Sequence, residues 1–130
     1  MKRILLACFL LTATCSVSFV QTASAQTAPP TVTLADFTAK INLMDTYIGA
    51  GDMTNANATW LLVHNMMLNI LAKSKYSIHN PTSPADKTAH EAIFTNQYNI
   101  YTQVWGMKTD LATNRAALHT KLTDFGATIY

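Results

Sequence analysis

The side chains here best suited to moving a proton or holding a metal at neutral pH are four histidines, His64, His79, His90 and His119. Imidazole titrates in that range and is the commonest metal ligand. His79 precedes Asn80-Pro81 and reads as a solvated loop residue. His90 and Gln97, seven residues apart, fall on one apolar helical face. His64 lies among Trp60, Leu68 and Leu71, and His119 at the edge of an apolar stripe near Arg115. Reversing the chain near residues 77–85 and again near 106–109 brings His64, Gln97 and His119 towards one height, so these three are the candidate site residues. Two chemistries fit them. In one, a buried His bonds a Gln or Thr, forming a polar layer that fixes helix register. In the other, His64 and His119 hold a metal or a b-type haem. The polar layer accounts for the residues with no ligand.

The remaining reactive groups have structural explanations. Asp36, Asp52, Asp86 and Asp110 all stand at helix starts, where capping and the helix dipole favour a carboxylate. Glu91 is the single glutamate, too few for a carboxylate-bridged di-iron bundle. His90-Glu91 lacks the second His of a zinc-protease motif, and no nucleophile elbow or phosphate-cradling glycine loop occurs. Met44, Met53, Met66, Met67 and Met107 offer thioethers that suit copper. Met44 and Met67 nevertheless fall on core stripes, where Met fills gaps. No catalytic residue, metal site or cofactor is therefore assigned, and the chain reads as a non-enzyme.

The N-terminus carries an address. Lys2 and Arg3 precede an apolar run over residues 4–11, and Ala23-Ser24-Ala25 has the small-x-small pattern of a cleavage site. Residues 1–25 are expected to be a cleaved signal peptide, with Gln26 as the new N-terminus and the protein periplasmic or secreted. Cys8 and Cys15, neither in a convincing lipid-attachment context, leave with it. That removes disulfides, c-type haem attachment and thiolate sites. Without Lys2 and Arg3, seven basic residues face seven acidic ones. The mature chain then has no basic patch for nucleic acid. Its apolar runs fall short of the roughly 20 residues of a membrane span.

Those residues must be positioned by helices. Residues 26–32, with Pro29-Pro30, read as a flexible tether, and residues 33–130 as one helical domain. The first helix, residues 34–48, is capped by Thr33 and carries Leu34, Phe37, Ile41, Met44 and Ile48 at helical spacing. The second, residues 53–76, has Asp52 as N-cap and an unusually wide apolar arc from Trp60 to Leu71. Such a girth belongs to a helix central in its own bundle or to a homodimer seam, here through Leu62 and Met66. Ser83-Pro84 opens the third helix, whose stripe Ile93, Ile100, Tyr101 and Val104 is widened on one side by Phe94, Tyr98 and Trp105. The fourth spans residues 110–128, with Leu111, Leu118, Leu122, Phe125 and Ile129 on one stripe.

Short connections between four such helices predict an all-α, up-down-up-down four-helix bundle. Sixteen Thr and nine Asn beyond residue 25 are poor helix formers, so packing must hold the helices. The topology, mature length and cysteine-free export resemble the b-type cytochrome bundles of the periplasm. That family holds haem with a Met on the first helix and a His near the C-terminus. Met44 lies late in its helix and His119 some turns before the end, at different heights, so the ligation is not carried over. The resulting expectation is an exported helical bundle acting as a non-enzymatic binding or interaction module. Its partner would be a protein or small molecule. The alternative is a haem or metal bundle using His64 and His119.

Overall fold

The computed structural model describes residues 27–130; the expected signal peptide and Gln26 lie outside the described residues. Among the described residues the structure is all helical, with no strand: α1 (Leu34–Gly49), α2 (Met53–His79), α3 (Pro84–Met107) and α4 (Arg115–Gly126). Residues 27–33 precede α1 without regular structure, and Val32 packs partly against the core.

Local chemistry sets most of the helix ends. Thr33 Oγ1 accepts from the Asp36 N–H at 3.1 Å, Asp52 from that of Asn55 at 3.1 Å, and Ser83 from that of Asp86 at 3.1 Å. Each satisfies an orphan donor of a first turn. The α1 exit is a Schellman motif. The Gly51 N–H donates to Ile48 O at 3.1 Å and the Asp52 N–H to Tyr47 O at 2.9 Å, with Gly51 at φ +75°. Asp52 thus closes α1 through its backbone and opens α2 through its side chain. A Cβ at Gly51 would meet no neighbour, so its cost is conformational alone. Gly51→Ala should lose about 1–2 kcal/mol, the penalty of a left-handed L-residue. Gly106→Ala, also open but inside α3, should instead gain up to about 1 kcal/mol. Urea denaturation midpoints moving in opposite directions would confirm the pair; movement in the same direction would contradict it.

The threonine-rich helices satisfy their hydroxyls internally. Thr46, Thr95, Thr120 and Thr123 each donate to the carbonyl four residues earlier, at 2.8–3.0 Å. Such back-bonding adds little stability, which leaves the work to packing. α1 contacts α2 and α4, α3 contacts the same two, and the diagonal pairs do not approach. The four stripes converge on one core that includes Phe37, Met44, Val63, Met67, Val104, Leu118, Leu122 and Phe125. Trp60 and Leu71 are buried, as their stripe requires. Phe37 and Phe125 meet at 5.7 Å between ring centroids and tie α1 to α4. Gly126 makes that approach possible: a Cβ there would stand 3.2 Å from Phe37 Cδ1.

Two expectations are corrected. α4 starts at Arg115, five residues after Asp110. Asp110 does cap a turn, its Oδ1 accepting from the Thr113 N–H at 2.9 Å. That turn ends at Asn114, whose φ −89° and ψ 4° leave the helical region and whose amide donates back to Met107 O and Asp110 O. α2 also runs on to His79, which sits in its last turn and not in the loop. The wide apolar arc of α2 divides: Val63, Met67 and Ile70 are buried and Met66 is half-buried, while Leu61 and Leu62 are 60% and 49% exposed.

Candidate functional site

The structure separates the three residues that hairpin counting drew together. Gln97 is fully buried and belongs to a polar layer. Its Oε1 accepts from Ser74 Oγ at 2.7 Å and its Nε2 donates to Thr128 O at 3.2 Å. The Tyr130 hydroxyl lies 3.4 Å from Ser74 Oγ and extends the network. Gln97 is therefore level with Ser74, ten residues or about 15 Å along α2 from His64. Extension of α2 to His79 accounts for only about three residues of that shift; the rest lies in how α2 packs along α3, where His64 reaches Tyr101 and Ser74 reaches Gln97. The polar layer exists, with Gln97 as its centre and neither His64 nor His119 in it.

His119 faces away from both. It lines an open cleft between α1 and α4 with Asp45, Thr113 and Arg115. Arg115 grips Asp45 with two hydrogen bonds, Nε to Oδ1 at 2.7 Å and Nη2 to Oδ2 at 2.8 Å. Those bonds hold the Asp45 carboxyl below its usual range, with His119 adding a smaller electrostatic contribution. The guanidinium rests over Gly49, where a Cβ would stand 2.7 Å from Nη1. Both charges are matched to each other, so this is a clamp between α1 and α4. Among the described residues, no group of three or more His, Cys, Asp or Glu side chains could hold a metal ion.

His64 has the most distinctive surroundings. It projects from α2 towards α3, with ring centroids 6.1 Å from Trp60, 5.9 Å from Tyr101 and 4.8 Å from Trp105. Its Nε2 lies 3.1 Å from the Tyr101 hydroxyl. The ladder continues along α3, from Trp105 to Tyr101 at 6.2 Å, to Tyr98 at 6.3 Å and to Phe94 at 6.1 Å. Lys108 Nζ closes one end, 3.2 Å from the Trp105 ring centroid. Tyr98 and Trp105 stand 51% and 41% exposed, while Phe94, Tyr101 and His64 are half-buried. Leu61 and Leu68, one turn on either side of His64, share its side of α2 and are exposed. The result is an aromatic face about 16 Å long across α2 and α3. It is apolar in body, with phenol and imidazole tips.

Burial, and secondarily the charge of Lys108, lowers the His64 pKa from its ordinary 6.5. The unfolded chain therefore protonates at His64 before the folded one does, so this residue makes stability fall as pH drops through about 6.5. His64→Gln should remove that component. The loss of stability between about pH 7.5 and 5.5, read from urea midpoints, should be smaller in the variant. An unchanged pH difference would contradict this account of His64.

Comparison with family models, curated proteins and solved structures finds no match to this chain. No helix among the described residues is long and apolar enough to cross a membrane. The aromatic face had a signal in the sequence, since Phe94, Tyr98, Tyr101 and Trp105 recur at spacings of four, three and four. Helical spacing shows that they share a face but not whether another helix covers it. The Asp45–Arg115 clamp, 70 residues apart in sequence, had no local signal.

Proposed function

We propose that this protein is an exported up-down-up-down four-helix bundle that acts as a non-enzymatic binding or interaction module, and that the aromatic face of α2 and α3 is its binding surface. Export rests on the signal pattern at residues 1–25. The topology is supported by the ring of neighbouring helix contacts and the short connections between them. One observation carries the binding reading: a continuous ladder of rings that the helices leave partly uncovered, with Tyr98 and Trp105 its most exposed members. Contiguous exposed apolar patches are uncommon on free proteins and mark contact surfaces. Trp and Tyr dominate such surfaces because they bring large, stiff contact area with a polar tip. Joint ligation of haem or metal by His64 and His119 lacks this support, because the two histidines stand on different helix pairs.

An apolar reporter tests the surface. At sub-micromolar protein, an anilinonaphthalene sulfonate dye should bind saturably. The paired substitution Tyr98→Ser with Trp105→Ser should weaken it about tenfold or more, as loss of central aromatic anchors does. Leu62→Ser should leave it unchanged, since Leu62 points about 200° around α2 from His64. Dye binding indifferent to the ring substitutions, with fold intact by circular dichroism, would contradict the proposal.

A further inference from the structure

We propose that the occupant of the aromatic face is a second copy of this chain, docked with its α3 antiparallel to the first about a two-fold axis. The axis crosses α3 at the level midway between Asn99 and Ile100. This rests on the reading of that face as a binding surface and names what the surface receives.

The argument begins with order. Along the exposed flank of α3 stand Glu91, Phe94, Tyr98, Tyr101, Trp105 and Lys108. Their spacings are three, four, three, four, three, which read the same from either end. Alternating threes and fours keep a row on one side of a helix and make a seam of period 3.5. A two-fold axis at the centre of the row superposes its reverse on itself. Tyr98 then meets the partner's Tyr101, Phe94 meets the partner's Trp105, and Glu91 meets the partner's Lys108. A two-fold dimer needs such a self-complementary patch. The centre of the seam is aromatic and its two ends are charged, the anatomy of a protein interface.

Charge selects the direction. An antiparallel pair of α3 helices sets a carboxylate against an ammonium at both ends. A parallel pair would set Glu91 against Glu91 and Lys108 against Lys108. Neither group is locked away from such a partner. Glu91 is about half exposed and its contact with Lys87 is long, at 3.8 Å. Lys108 lies half-buried on the Trp105 ring. Leu61 and Leu68 on the neighbouring edge of α2 add apolar contact beside the rings. Leu62 lies on the other flank of α2 and takes no part.

Sedimentation equilibrium of the purified protein from about 1 to 100 µM should show a reversible dimer, in the affinity range of a modest interface. Glu91→Lys alone and Lys108→Glu alone place like charges at both ends of the seam and should each weaken the dimer about tenfold. The double variant Glu91→Lys with Lys108→Glu should recover most of the lost affinity, because it restores opposite charges at both ends and forfeits only the contact of Lys108 with Trp105. A monomer throughout would overturn the proposal, and so would a dimer whose affinity ignores the single reversals. Dye titration of the Glu91→Lys variant at sub-micromolar concentration, where the weakened dimer is dissociated, separates the two claims. A monomeric protein that still binds dye through Tyr98 and Trp105 loses the dimer but keeps the binding surface. Dye binding that ignores those rings removes both.

Discussion

Phe37→Ala should destabilise the fold by about 3–5 kcal/mol, the usual cost of emptying a buried aromatic site. Phe37 is fully buried and faces Phe125 across the α1–α4 seam. α4 has only 12 residues and no side-chain hydrogen bond at its N-cap, so little besides packing holds it. Its attachments are the apolar row Leu118, Leu122 and Phe125, together with the exposed Arg115–Asp45 clamp. Surface ion pairs contribute at most about 1 kcal/mol, so the clamp cannot make up the loss. A domain of this size has about 5–15 kcal/mol of total stability, and the variant should approach the unfolding threshold. Urea denaturation followed by circular dichroism measures it. Leu43→Ala on the outer face of α1 should stay within about 0.5 kcal/mol. A loss below about 1 kcal/mol for Phe37→Ala would mean that the α1–α4 seam is not part of the core.

Gln97→Met should cost about 1–3 kcal/mol despite keeping the volume of the side chain, because it leaves the buried Ser74 hydroxyl without its main partner. Thr128 O, near the open end of α4, can turn to water and adds less. Ser74→Ala alone should cost a similar amount, by leaving Gln97 Oε1 without its donor. Together the two substitutions should cost distinctly less than their sum, since neither leaves the other's group unmatched. Additive losses in that double-mutant cycle would show that Ser74 and Gln97 do not work as one unit.

The parts of the fold legible in the sequence are those decided within a turn of chain. Thr33 with Asp36, Asp52 with Asn55 and Ser83 with Pro84 carry their capping chemistry locally, and helices begin where those residues stand. Asp110 carries the same signal, yet Asn114 turns its side chain back to Met107 O and breaks the helix that Asp110 would have started. Register between helices is not local. Counting from the middle of the α2–α3 loop puts His64 beside Gln97, whereas the packing of the two helices sets Ser74 there and His64 against Tyr101. Gln97 was legible as a buried polar residue on an apolar face; its partners were not. The aromatic face was half legible for a related reason. Spacing aligns Phe94, Tyr98, Tyr101 and Trp105, but exposure depends on how far α2 reaches around α3. That is a matter of packing angle and neighbouring side chains, which spacing does not contain.

The surface assignment is tested most directly by following the dye titration residue by residue in proton–nitrogen NMR spectra of the Glu91→Lys variant. The account predicts shift changes concentrated on residues 61–68 of α2 and 94–108 of α3, with the Trp105 indole N–H among the largest and the buried Trp60 less affected. Changes concentrated instead on Asp45, Arg115 and His119 in the α1–α4 cleft, with the rings of α3 unmoved, would contradict it.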